Sequence, residues 1–150
     1  MKRNSSPRFR IRLARSADSE RMARLATQLG YPSTAAEVRR RLGRILKQPG
    51  HAVFVAEKSD VGVVGWAHVF VHALVESDTF AEVGGLIVDE CERGEGIGKG
   101  LMARVESWAR ARGARNVSLR SNIIRKDAHA FYEKLGYRII KTQLAFRKSL

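Results

Sequence analysis

The stretch Val88-Asp89-Glu90-Cys91-Glu92-Arg93-Gly94-Glu95-Gly96-Ile97-Gly98-Lys99-Gly100-Leu101 decides how this chain of 150 residues is read. Before it, Phe80 to Val88 reads as a strand interrupted by Gly84-Gly85, a pair that marks a bulge or a close backbone approach. After it, Ile97, Leu101, Val105 and Trp108 recur at helical spacing, and this helix ends near Gly113. A strand therefore passes into a helix through a glycine-rich turn. Glycines let the backbone approach a ligand closely, and the first N–H groups of a helix have no partner inside it. Together these features suit an anion such as a phosphate. Arg93 and Lys99 add positive charge. The turn is not a Walker loop, because Gly94 and Gly98 are separated by three residues and Gly100 follows Lys99. Nor is it a dinucleotide fingerprint, because Leu101 stands where the third Gly or Ala belongs.

Outward from this turn, the chain reads as alternating strands and helices. Phe9 to Leu13 alternates apolar and basic residues and reads as a strand. Asp18 is a helix N-cap candidate before Met22, Leu25, Ala26 and Leu29, and Gly30 and Pro32 stop that helix. Thr34-Ala35-Ala36-Glu37 has the form of a capping box for a second helix, whose apolar stripe is Val38, Leu42, Ile45 and Leu46. His51 to Glu57 and Val63 to Val71 are strands joined by Ser59-Asp60. Both faces of the latter are bulky, which places it centrally in a sheet. Asn116 to Arg120 is a further strand. Ala128, Phe131, Tyr132 and Leu135 mark a late helix, with one or two closing strands running to Phe146. No repeat or linker divides residues 1–150, so a single domain is expected.

Two further blocks accompany the turn. Arg93-x-x-Gly96-x-Gly98 resembles the pyrophosphate-binding motif of the GNAT acetyltransferase superfamily, and Arg12-x-Ala14-x-x-x-Asp18 resembles that family's opening strand and helix start. Ala128-His129-Ala130-Phe131-Tyr132-Glu133-Lys134-Leu135-Gly136-Tyr137 resembles its late helix-turn-strand signature. The resemblance covers essentially the whole chain. One position departs from it: Arg125 stands where many members have Asn, with Asn122 three residues earlier.

The resemblance implies an α/β fold with a mixed, mostly antiparallel sheet of six to seven strands, about four flanking helices, and a splayed cleft between strands 80–88 and 116–120. It implies acetyl-CoA as co-substrate and no metal. The pyrophosphate would lie on Arg93, Gly94, Glu95, Gly96, Ile97, Gly98 and Lys99, with the pantetheine along Leu86, Ile87 and Val88 and a loop contact from Asn122. A backbone N–H near Leu86 to Val88 would polarise the thioester oxygen. Tyr132 falls at the family's frequent acid position, and Glu82 at a position where some relatives place a base; elsewhere in the family water serves instead. An alkyl amine must shed a proton before it attacks, which costs about 4 kcal/mol at neutral pH.

Composition bounds the remaining choices. The net charge of +13 is uneven: residues 1–50 hold 13 basic and 3 acidic residues, residues 51–100 hold 3 and 9, and residues 101–150 hold 12 and 3. Basic ends suit an anionic ligand, and an acidic middle suits a cationic one. Glu76, Asp78 and Glu82 therefore point to a small cationic amine acceptor, with a protein N-terminus or lysine as the alternative. A basic nucleic-acid-binding module is unlikely, since no aromatic residues interleave with the charges. A non-catalytic acetyl-CoA sensor is the other alternative. Packed histidines are the ordinary reading of His68 and His72, which share a strand face with Trp66 and Phe70; substrate contact is the alternative. The lone cysteine, Cys91, excludes an internal disulfide and reads as a spectator thiol. No apolar run reaches membrane-spanning length and no apolar core follows the basic stretch 1–7, so no membrane association and a cytoplasmic location are expected, as monomer or homodimer.

Overall fold

The computed structural model describes residues 8–150, so the basic stretch 1–7 lies outside the described residues. Five strands form one sheet in sequence order: β1 (Arg10–Leu13), β2 (His51–Lys58), β3 (Gly62–Leu74), β4 (Ser77–Val88) and β5 (Val117–Leu119). The first four are antiparallel neighbours, and β5 runs parallel to β4. β2 is buried without interruption from Ala52 to Ala56, as expected of a strand covered on both faces.

Helices α1 (Ser19–Leu29) and α2 (Ala35–Ile45) cover one face. Met22, Leu25 and Leu42 join Val53, Val55 and Ile87 in the core there, flanked by Leu29, Val38, Ile45 and Trp66. Helix α3 (Ile97–Ala111) supplies Ile97, Leu101, Met102 and Val105, all fully buried, to the other face. Each such side chain contributes about 1.5–3 kcal/mol relative to exposure, which fixes the helices to the sheet. Gly100 permits that packing: a Cβ there would lie 3.0 Å from Ile11 and 3.2 Å from Phe9.

Local signals end the elements as read. The Thr34 hydroxyl accepts from Glu37 N at 3.2 Å, and the Glu37 carboxylate accepts from Thr34 N at 2.8 Å. Asp18 precedes α1, but its carboxylate serves Arg15 N at 2.7 Å and the Arg12 guanidinium at two 2.8 Å contacts instead of capping the helix. Burial pushes the Asp18 carboxyl up, yet Arg12 and the Arg15 N–H outweigh it and hold it below the usual range. Arg12 also reaches Glu57 of β2, and with Arg10 pulls that carboxyl down to about 2.

Gly84-Gly85 produces the expected bulge. His68 of β3 pairs with Gly85 and Val69 with Val83, so Gly84 is the extra residue. The cause is ring packing across the strands. A Cβ at Gly85 would fall 2.8 Å from the Trp66 ring, and one at Gly84 would fall 3.0 Å from His68 Nδ1. Trp66 cannot yield freely, because its indole N–H donates to Met22 O at 3.3 Å. Gly85→Ala is accordingly expected to destabilise the protein by about 1–3 kcal/mol, the usual scale of overpacking. Urea unfolding checks this, and an unchanged midpoint would mean that the ring gives way.

The ladder between β4 and β5 ends at Val83 paired with Leu119. β4 continues from Gly84 to Val88 beyond the end of β5. The strand count differs from expectation: among the described residues there are five strands, not six to seven. The stretch read as closing strands up to Phe146 joins no ladder, and Ile139, Ile140, Leu144 and Phe146 are exposed. Alternating apolar residues make a strand only when a neighbour pairs its N–H and C=O groups, and these residues lack such a ladder.

The chain divides into two compact units, one ending at Leu119 and one from Arg120 to Leu150. In the second, α4 (Lys126–Lys134) is closed by Gly136 N donating to Glu133 O and Tyr137 N to Tyr132 O, with Gly136 at φ +93°. Phe131, Tyr132 and Tyr137 meet edge to face around it.

Candidate active site

The turn before α3 has the geometry an anion requires. Gly94 and Gly96 adopt φ +83° and +81°, a region that favours glycine, and no atom lies within 4 Å of a Cβ placed on either. Gly96 is the N-cap of α3, so the helix opens on Ile97, Gly98 and Lys99 with unpartnered N–H groups. No side chain occupies the cap, since Gly96 has none to offer. The turn is held from both sides. Asp89 accepts from Cys91 N at 3.1 Å, and Glu90 N donates to Gln28 of α1 at 3.1 Å. Lys58 at the end of β2 reaches Glu92 at 2.6 Å and Glu95 at 3.3 Å. The Glu95 carboxylate is thus spent on Lys58, which leaves its backbone for a ligand. The Arg93 guanidinium donates to Val88 O at 3.4 Å. Open glycines, a helix N-terminus and nearby Arg93 and Lys99 fit the pyrophosphate of acetyl-CoA.

Leu86, Ile87 and Val88 pair with Ala67, Trp66 and Gly65 of β3 on one side. Their other side lies in the part of β4 that outruns β5, the place expected for the pantetheine.

The sheet face beneath α1 and α2 carries a row of rings. His51 stacks on Phe70, and His72 stacks on Phe80. His51 Nδ1 and His68 Nε2 lie 3.0 Å apart. Glu82 is buried and its carboxylate contacts His72 Nε2. The pair shares a hydrogen bond whose donor depends on the tautomer of His72.

Between this face and the two helices lies a cleft of about 250 Å³. Its wall is mostly apolar, with Met22, Leu29, Val38 and Trp66 among its members, and it reaches Gly84 at the bulge. Its ionisable residues are Tyr31, Arg41 and His68. The Arg41 guanidinium donates to Ser33 Oγ at 3.0 Å and lies 4.0 Å from Glu37. Of the three acids read as a cationic attractor, Glu82 contacts His72 and Asp78 pairs with Arg115 at 3.5 Å. None of the three lines the cleft.

In the second unit, burial raises the Tyr132 hydroxyl above its usual pKa against the opposing charge of Arg125, so it keeps its proton at neutral pH. The Asn122 side-chain oxygen accepts from Ile124 N at 3.2 Å, and its carbonyl accepts from His129 Nε2 at 3.0 Å if that nitrogen is protonated. Asn122 therefore shapes the loop before α4, which leaves its amide N–H groups for a ligand.

Sequence reasoning did not assign site roles to Gln28, Lys58, His51 and Arg41. The first two hold the turn from elements 30 or more residues away in sequence, and no local pattern signals such a contact.

The acetyltransferase (GNAT) family model matches residues 13–137. The chain is 31% identical over 144 residues to an aminoglycoside N(6')-acetyltransferase type 1 of Stenotrophomonas maltophilia, with 93% of each chain covered. It is 37% identical over 90 residues to an aminoalkylphosphonate N-acetyltransferase of Salmonella typhimurium, covering 60% of this chain and 56% of that protein. Its fold is similar to that of AAC(6')-Iy solved in complex with the bisubstrate analog CoA-S-monomethyl-acetylneamine, with TM-score 0.83, 22% identity, and 95% and 99% of the two chains covered. The glycine turn and the open edge of β4 thus lie in a chain that belongs to the acetyltransferase (GNAT) family, an N-acetyltransferase with acetyl-CoA as its co-substrate.

Proposed function

We propose that the protein transfers the acetyl group of acetyl-CoA to the primary amine of a small molecule, by direct attack with both substrates bound. The observation that carries this reading is the cleft beneath α1 and α2, which ends at the bulge of β4 beside the open edge Leu86–Val88. An amine in the cleft and a thioester on that edge would meet at Gly84. Holding two reactants in register supplies a large part of the rate. Glu82, with His72 on its carboxylate, takes the amine proton through water, and Tyr132 returns a proton to the departing thiolate.

The acceptor is read as cationic, which rests on the acidic residues 51–100 and on the aminoglycoside named for one relative. Arg41 favours a second reading, because the charge it brings into the cleft wall attracts an anion and repels a cation. The aminoalkylphosphonate named for another relative carries such an anion. Steady-state CoA release with cadaverine, glucosamine, 2-aminoethylphosphonate and benzylamine decides. Cadaverine or glucosamine leading in kcat/KM upholds the cationic acceptor. 2-Aminoethylphosphonate leading, with the advantage lost in Arg41→Ala, upholds the second reading. A wild-type protein that turns over none of the four refutes the small-molecule assignment.

A further inference from the structure

His68 lines the cleft beside Trp66, and its two nitrogens have different surroundings. Nε2 lies 3.0 Å from His51 Nδ1. Nδ1 is the atom nearest a Cβ placed on Gly84, at 3.0 Å, and both residues line the cleft. Nδ1 makes no hydrogen bond among the described residues, and no buried side-chain nitrogen or oxygen of the described residues is left without a partner. Nδ1 therefore opens into the cleft. A side chain at position 84 would press on Nδ1 and, at 3.1 Å, on the Phe70 ring.

We propose that His68 Nδ1 is the hydrogen-bond acceptor that docks the acceptor's amino group over the β4 bulge, with His51 as the residue that fixes its tautomer. This rests on the proposed reading of the cleft as the amine site. When His68 Nε2–H donates to His51 Nδ1, the lone pair of His68 is confined to Nδ1 and faces the cleft. An amine or ammonium N–H then donates to it, which points the nitrogen along the cleft toward Leu86–Val88. No proton changes owner in this step. His68 positions the nitrogen, and proton removal stays with Glu82 through water.

Charge agrees with this assignment. Burial, and then the neighbouring His51, push the His68 imidazole down to about 4. It is neutral above that pH and sets no positive charge against an ammonium group. The other ionisable groups facing it are His51 from β2, His72 and Glu82 along the same sheet face, Tyr31 beyond α1, and Arg41 from α2. The Arg41 guanidinium carries only donors, so it does not compete for the role of acceptor.

The test uses the whole chain labelled with ¹⁵N-histidine, whose four histidines are assigned through single variants. In the resting protein, His68 is expected to show a protonated Nε2 and an unprotonated Nδ1 from pH 5.5 to 8. Titrating in each of the four panel amines without acetyl-CoA is expected to move the Nδ1 signal for every amine that is turned over. His68→Phe is expected to raise KM for the amine at least 10-fold with kcat within about 3-fold. His68→Asn, whose side-chain oxygen accepts, restores part of the loss, and His51→Phe reproduces part of it. A protonated Nδ1, an Nδ1 signal that ignores a turned-over amine, or an unchanged KM in a folded His68→Phe overturns the proposal. Those outcomes leave the small-molecule reading standing, which fails only if the wild type acetylates none of the four.

Discussion

Tyr132→Phe is expected to lower kcat by about 100- to 10,000-fold, the scale on which a positioned general acid acts. The change removes one oxygen and keeps the ring, so the contacts with Phe131 and Tyr137 persist. Stability and acetyl-CoA affinity are expected to be retained. The loss falls on kcat and leaves KM nearly unchanged, because proton donation to the thiolate matters in the transition state and not in the bound complex. The burial that holds the hydroxyl above its usual pKa keeps the donor loaded across neutral pH. Steady-state kinetics with the best panel amine measures the effect. A Phe variant with wild-type kcat would reduce Tyr132 to a packing residue, with solvent protonating the leaving group.

Gly96→Asp is expected to abolish the stabilisation that acetyl-CoA gives against heat. At 100 times Kd a ligand bound only to the folded state adds about 2.7 kcal/mol, which for a chain of this size raises Tm by roughly 5–10 °C. The aspartate would place a carboxylate in the open space of the turn, against the phosphates and at the start of α3. Backbone strain alone does not explain such a loss. Gly113, at φ +77° and with nothing within 4 Å of its Cβ position, carries the same strain at the opposite end of α3. Gly113→Asp is therefore the control: lower intrinsic Tm, full response to acetyl-CoA. A Gly96→Asp protein that still responds fully would move the pyrophosphate away from this turn.

The strand-turn-helix geometry around Gly94 and Gly96 was legible because its signal is local. Positive φ at Gly94 and Gly96, a strand before them and a helix after them are properties of consecutive residues. The Thr34 capping box and the stop at Gly30 are of the same kind. The Gly84-Gly85 bulge was legible as a bulge, though its cause, the approach of Trp66 and His68 from β3, was not.

The closing strands show where a local pattern fails. The reading of one or two closing strands up to Phe146 was local, but pairing is a property of two strands, and no short sequence window contains both. Charge likewise depends on partners that no window of sequence contains. The acidic middle of the chain is real, yet its carboxylates turn to Arg10, Lys58, His72 and Arg115 once the chain folds, and the residue that brings charge to the cleft is Arg41 from the basic first third. By itself, the sequence determined the alternation of strands and helices, the glycine turn between β4 and α3, and the family, since these depend on neighbours along the chain. Only the tertiary structure decided which side chains share the cleft, that Glu82 contacts His72, and that His51 and His68 lie within hydrogen-bond distance. Those contacts join residues 10 to 17 positions apart through strand register, and register is fixed by the packing of the whole sheet.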